Sequence, residues 1–103
     1  MKDLGSAELQ KLRDNAAEAG DLLKVLANHN RLLILCQLLD GEKSVQQLQG
    51  AIGLSQSAIS QQLAILRAHK MVSTRRQAQS IFYTLASTEA EALLETLYDL
   101  YCA

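Results

Sequence analysis

The chain has no proline, no tryptophan and a single phenylalanine, while leucine and alanine dominate. That balance favours helix. It also leaves Phe82 and Tyr83 as the only aromatics near the basic part of the chain. A stacking platform for single-stranded nucleic acid or RNA is therefore excluded. No stretch approaches the ~18 consecutive apolar residues of a membrane span. The opening MKDLGSAELQKLRDNAAEAG mixes acids and bases around no apolar core, so it does not read as a secretory leader. A cytoplasmic protein with no membrane partner is expected. Only two cysteines are present, Cys36 and Cys102. In that compartment both are thiols by default. With 49% apolar residues the chain is not disordered, and 103 residues make one domain, spanning 1–103.

Acid is missing in one place. Residues 43–88 contain no Asp or Glu, yet hold Lys43, Arg67, Lys70, Arg75 and Arg76. The net charge of −1 is thus made of −2 over 1–42, +5 over 43–88 and −4 over 89–103. An acid-free block of this length is an electrostatic footprint for a polyanion. The bland alternative is a solvated surface.

Helical periodicity runs through most of the chain. Over 7–27, Leu9, Leu12, Ala16, Ala19, Leu23 and Leu26 are spaced by three and four, an a/d stripe too short for a free-standing coiled coil. A second helix holds the run LLILCQLLD, capped by Asn28 or Asn30 and ended by Gly41. Its leucines and Cys36 predict burial nearly all round. Ser44 caps a third helix with Val45, Leu48 and Ile52 inward, and Gly53 ends it. Ser55 caps a fourth, with Ile59, Leu63 and Leu66 on one face and Ser57, Ser60, Gln61, Ala64 and Arg67 on the other. The period then changes to that of two strands, MVSTRR and SIFYTL, joined by QAQ, which lacks a strong turn signal, so a loose hairpin tip is expected. A last helix over 88–102 follows Ser87 or Thr88 and carries a stripe of Leu93, Leu97, Leu100 and Tyr101.

The helices on either side of Gly53-Leu54-Ser55 form a helix-turn-helix pattern over 43–69. Its second helix begins with short polar residues suited to a major groove. Candidate DNA contacts are Gln56, Ser57, Ser60, Gln61 and Arg67 on that helix, and Arg75 and Arg76 on the hairpin over 71–85. The fold class is mainly α with a small β-hairpin, a winged helix-turn-helix of order α-α-α-α-β-β-α. The alternative is that helix pairs of this kind occur in any all-α protein. No nucleophile, base and acid come together, so an enzyme is not expected.

The stretches LLKVLANHNRLLIL, GLSQSAISQQLAILRAHKMVSTRR and IFYTL resemble the ArsR family of bacterial winged-helix repressors, from about residue 18 almost to the end. The resemblance implies a homodimer built by the first and last helices, 7–27 and 88–102. It also implies a double-stranded operator with inverted half-sites ~34 Å apart. This chain departs from the family in having His29-Asn30 for a frequent His-Pro, and Gln62 for a frequent His, and both read as tolerated variation. Relatives that sense metal use a Cys-x-Cys pair where this chain has Ser44-Val45-Gln46, or Asp, His and Glu on a last helix that here has no His. No cofactor or metal site is expected.

The ending LYDLYCA, with Cys36 in the second helix, is similar to the two-cysteine branch of BigR-, SqrR-, YgaV- and HlyU-like regulators. That similarity implies a sensor pair, Cys36 and Cys102. Low-molecular-weight persulfides or other thiol oxidants would join the two by a disulfide or polysulfide bridge and so lower DNA affinity. Three alternatives stand beside it: two inert cysteines, a metal-responsive repressor, and a winged-helix adaptor without DNA binding.

Overall fold

A computed structural model describes residues 5–102; the outermost residues of the expected domain, 1–4 and 103, lie outside the described residues. The order is α1 (Ser6–Leu26), α2 (His29–Leu38), β1 (Lys43–Ser44), α3 (Val45–Ile52), α4 (Gln56–Ala68), β2 (Val72–Gln77), β3 (Ser80–Leu85) and α5 (Thr88–Tyr101). Local chemistry sets most boundaries. Asn28 starts α2, its side chain accepting from the Arg31 amide. Ser44 and Gln47 form a reciprocal capping box at α3. Ser55 and Ser87 cap α4 and α5 in the same way, each accepting from the amide three residues on. Gly53 sits at φ 86°, where a Cβ would be strained, so this glycine makes the turn between α3 and α4.

The core forms where α2, α3 and α4 meet. Ile34, Leu35, Leu48, Ile59, Leu63 and Leu66 are fully buried, and Leu94 of α5 joins them. The three expected inward residues of α4 are all in this set. One expectation fails. α2 is not buried all round: Ile34, Leu35 and Leu38 face inward, but Leu33 and Cys36 are exposed. In α5 the inward residues are Ala90 and Leu94, which leaves the Leu93, Leu97, Leu100 and Tyr101 stripe largely off the core, on the side that the resemblance assigns to a dimer. Its outer end is open to solvent, with Leu100 71% and Tyr101 82% exposed.

α1 behaves likewise. Only Val25 and Leu26 of its 21 residues are buried, and Leu12 and Leu23 are 53% and 57% exposed. The helix projects from the body, which gives a radius of gyration of 15.7 Å. A packed chain of this length would measure about 13 Å.

The sheet has three antiparallel strands in the order β1-β3-β2, one more than the hairpin expected from sequence. β1 is only two residues long, with no alternation to read. It pairs Lys43 with Tyr83 and Ser44 with Phe82. The hairpin tip is a tight turn, Ala78-Gln79, between the paired Gln77 and Ser80. Ala78 adopts φ 54°, a conformation that suits glycine. Ala78→Gly is expected to stabilise the fold by about 0.5–1 kcal/mol, read as a thermal midpoint a few degrees higher.

Candidate DNA interface and thiol cleft

α4 presents two faces, as its spacing requires. Ile59, Leu63 and Leu66 seat it on the core, which leaves Gln56, Ser57, Ser60, Gln61 and Arg67 exposed along the outside. Its first turn has amide donors that the cap satisfies only in part: Ser55 Oγ accepts from the Ala58 amide and lies 3.3 Å from Ser57 Oγ. Short polar side chains and open amides at the start of an outward helix suit phosphate oxygens and base edges.

Arg31 holds this helix in place, a role that the sequence alone does not reveal. Its Nε donates to the Val25 carbonyl at 2.7 Å and its Nη2 to the Lys24 carbonyl at 3.3 Å, which caps the end of α1. Its Nη1 donates to Gln62 Oε1 on α4 at 3.3 Å. One guanidinium thus ties the projecting helix to the reading helix. The only signal in the sequence is an arginine alone at the head of an apolar run. Gln62, a departure from the family pattern, is here a working acceptor.

The hairpin places Arg75 and Arg76 in β2, both exposed. Arg75 is already occupied. Its Nη2 donates to Glu42 Oε1 at 2.6 Å and its Nε to Glu42 Oε2 at 3.1 Å. Its Nη1 reaches Gln77 Oε1 at 2.7 Å, and its guanidinium lies 4.7 Å from the centre of the Phe82 ring. Hydrogen bonding from Arg75 holds the Glu42 carboxyl below its ordinary range. Lys43, the first cation of the block, pairs with Asp40 at 3.6 Å and donates to the Gln37 carbonyl at the end of α2. The stretch that is acid-free in sequence is therefore not acid-free in space, because Asp40 and Glu42 fold back onto it. Among the described residues, Arg67, Lys70 and Arg76 have no acidic partner.

Cys36 lies on α2 and Cys102 at the end of α5, two helices that pack together. Cys36, Leu39 and Asp40 on the α2 side, with Glu95, Tyr98 and Asp99 of α5, line an open cleft of about 480 Å³. Cys102 is the C-cap of α5, its amide bonded to the Tyr98 carbonyl at 2.7 Å. Both cysteines are exposed thiols in no disulfide. The Cys36 thiol is pushed up, first by desolvation in the cleft and second by negative charge on Cys102. The second cause operates only when the two sulfurs lie within electrostatic reach. Among the described residues, no three of His, Cys, Asp and Glu gather in a way that would hold a metal ion. No helix among the described residues is long and apolar enough to cross a membrane.

Residues 28–74, from the cap of α2 into β2, match the family model for bacterial regulatory proteins of the arsR family. Over 94 residues the chain is 54% identical to HlyU of Vibrio cholerae serotype O1, a transcriptional activator, covering 91% of this chain and 87% of that protein. The fold superposes on the reduced form of HlyU from Vibrio cholerae with a TM-score of 0.86 at 53% identity, covering 91% of this chain and 99% of the other. It also superposes on the transcriptional repressor BigR from Xylella fastidiosa with a TM-score of 0.86 at 40% identity, covering 91% and 96%.

Proposed function

The chain belongs to the arsR family of bacterial regulatory proteins and is a DNA-binding transcriptional regulator, not an enzyme; from that premise we propose that it is a cytoplasmic homodimeric repressor whose grip on an operator is released when Cys36 and Cys102 become linked. The observation that carries the sensing part is the place of the two thiols: Cys36 opens into the cleft between α2 and α5, Cys102 caps the end of α5 one turn beyond Tyr98 of the cleft wall, and both are reachable from solvent.

The dimer rests on the apolar faces left open on α1 and α5. A lone chain would hold Leu9, Leu12, Leu23, Leu93, Tyr98, Leu100 and Tyr101 in water. Faces of that extent belong against a partner, and a two-fold pair of such chains reads inverted half-sites. In this arrangement Gln56, Ser57, Ser60, Gln61 and Arg67 face the major groove, with Arg75 and Arg76 on the flanking backbone.

The chemistry balances with a low-molecular-weight persulfide, RSSH, as oxidant. A protein thiolate attacks its outer sulfur, takes that sulfur as a protein persulfide and releases the thiol RSH. Attack by the other protein thiolate on that persulfide forms a disulfide and expels hydrogen sulfide. If both cysteines are first persulfidated, condensation leaves a trisulfide and again expels hydrogen sulfide. Peroxide gives the plain disulfide and two waters. Cα atoms must approach to about 4.4–6.8 Å for a plain disulfide, and a longer sulfur chain spans a wider gap. A bridge of either length joins the end of α5 to α2, which packs on α3 and α4. It thus couples the dimer helix to the reading helix. The relatives share this scaffold with opposite promoter effects, HlyU as an activator and BigR as a repressor. Displacement of another DNA-binding protein would reconcile the two.

DNA affinity of the reduced protein across a salt series tests the interface. Arg67→Ala and Arg76→Ala should each weaken binding on every sequence and lower the log–log salt slope by about 0.9 for each phosphate no longer neutralised. Unchanged slopes in both variants would remove these residues from the interface. Salt-independent binding by the parent protein would favour an adaptor role.

A further inference from the structure

Glu42 is the one carboxylate that contacts a proposed DNA-binding side chain among the described residues. It lies in the α2–β1 connection, one residue before β1, and grips the Arg75 guanidinium with both oxygens, at 2.6 and 3.1 Å. A carboxylate on the Nε–Nη2 edge of arginine has the two-point geometry that a phosphate would take there. We propose that Glu42 is an internal phosphate mimic: it occupies Arg75 in the DNA-unbound protein, and the wing engages DNA by exchanging this carboxylate for a backbone phosphate. The proposal rests on the reading of the wing as a DNA contact.

Four observations support the exchange. Phe82 stacks under the guanidinium and Gln77 holds Nη1, so the plane of Arg75 is fixed without Glu42. The shared edge is therefore ready for a phosphate once the carboxylate leaves. The pair is open to solvent, with side chains 48% and 37% exposed, so water can compete and the contact can open. At that exposure solvent screens the pair, so giving it up carries a modest cost to folding. Finally, Glu42 cancels the charge of Arg75, which leaves Arg76 as the uncompensated cation of β2. That lowers the long-range pull of the wing on any polyanion and weakens indiscriminate binding.

The latch also sits beside the thiol cleft. Gly41, at φ 131°, lets the chain turn out of α2. Asp40, which lines the cleft with Cys36, pairs with Lys43, and Lys43 ties β1 to the Gln37 carbonyl. Glu42 is carried by this segment.

The test is a double-mutant cycle in the reduced, full-length protein. Affinity for a mixed-sequence duplex is measured for the parent, Glu42→Gln, Arg75→Ala and the double variant, with melting curves for each. Glu42→Gln should tighten binding by about 3- to 10-fold at low salt, the gain from one charge-assisted phosphate contact no longer opposed by a carboxylate. Arg75→Ala should cost little in the parent and several-fold more in the Glu42→Gln background. Arg76→Ala should cost the same in both backgrounds. Weaker binding by Glu42→Gln, with a smaller cost of Arg75→Ala in that background, would overturn the proposal and make Glu42 a support that aims Arg75. No effect of Arg75→Ala in either background would also overturn it. The wing reading would then be judged on Arg76 alone.

Discussion

Cys36→Ser and Cys102→Ser are each expected to keep the DNA affinity of the reduced parent and to lose the response to persulfide. In the parent, treatment lowers affinity; in either variant the ratio of treated to untreated affinity should fall to about one. Serine is close in size to cysteine, and both positions are exposed, so neither change empties the core. Neither position lies on the outer face of α4 or on β2, so basal binding is untouched. What goes is the second sulfur that closes the bridge. The reaction also carries a pH signature. Desolvation and the charge of Cys102 raise the Cys36 thiol above its ordinary value, so near neutrality Cys36 is mostly protonated. Its alkylation rate should climb about tenfold per pH unit until that raised value is passed. Cys102→Ser removes the lesser of the two causes and leaves the desolvation, so the inflection of the Cys36 alkylation profile should move to lower pH yet stay above the ordinary thiol value. A full response to persulfide in both serine variants would end the sensor reading.

Leu94→Ala should produce the largest loss of stability among single α5 changes. Leu94 is fully buried and, with Ala90, is all that α5 places in the core. Truncating a buried leucine costs about 2–5 kcal/mol. For a domain of this size that lowers the thermal midpoint by more than ~10 °C. The consequence extends to function, because α5 positions both Cys102 and one apolar face. Bridge formation should fall along with stability. Leu93→Ala is the contrasting variant. Leu93 is exposed on the single chain, so its truncation should leave the monomer core intact and show as weaker self-association. Equal effects of the two variants on melting would contradict the placement of α5.

That contrast marks where sequence and fold agree and where they part. The capping residues Ser44 and Ser55, the turn at Gly53 and the inward face of α4 follow from local chemistry and from a clean period, so they are legible. In the last helix Leu93, Leu94 and Leu97 together fit two adjacent stripes. Periodicity cannot say which stripe meets the chain's own core and which is left for a partner. In α2 the same density of leucines suggests burial all round, although one flank, with Leu33 and Cys36, is open. The electrostatic block fails for a different reason. Acids at 40 and 42 lie just outside it in sequence but pair with its cations: Asp40 reaches Lys43 three residues on, and Glu42 reaches Arg75 only because β1 joins the sheet. Arg31 shows in the sequence only as an arginine at the head of an apolar run, because its three acceptors lie on α1 and α4 and only the packed fold brings them together.

The measurement that meets the central claim most directly is intact mass under non-reducing conditions, followed by DNA binding of the same samples. Reduced protein would be treated separately with glutathione persulfide, peroxide, glutathione disulfide and zinc. A link between Cys36 and Cys102 within one chain, formed with persulfide and accompanied by a fall in DNA affinity that a reductant reverses, is the predicted result. Retained sulfur would identify a polysulfide bridge, and loss of two hydrogens alone a disulfide. Protein that stays unlinked with every reagent, or that links and still binds DNA as tightly as before, would contradict the account.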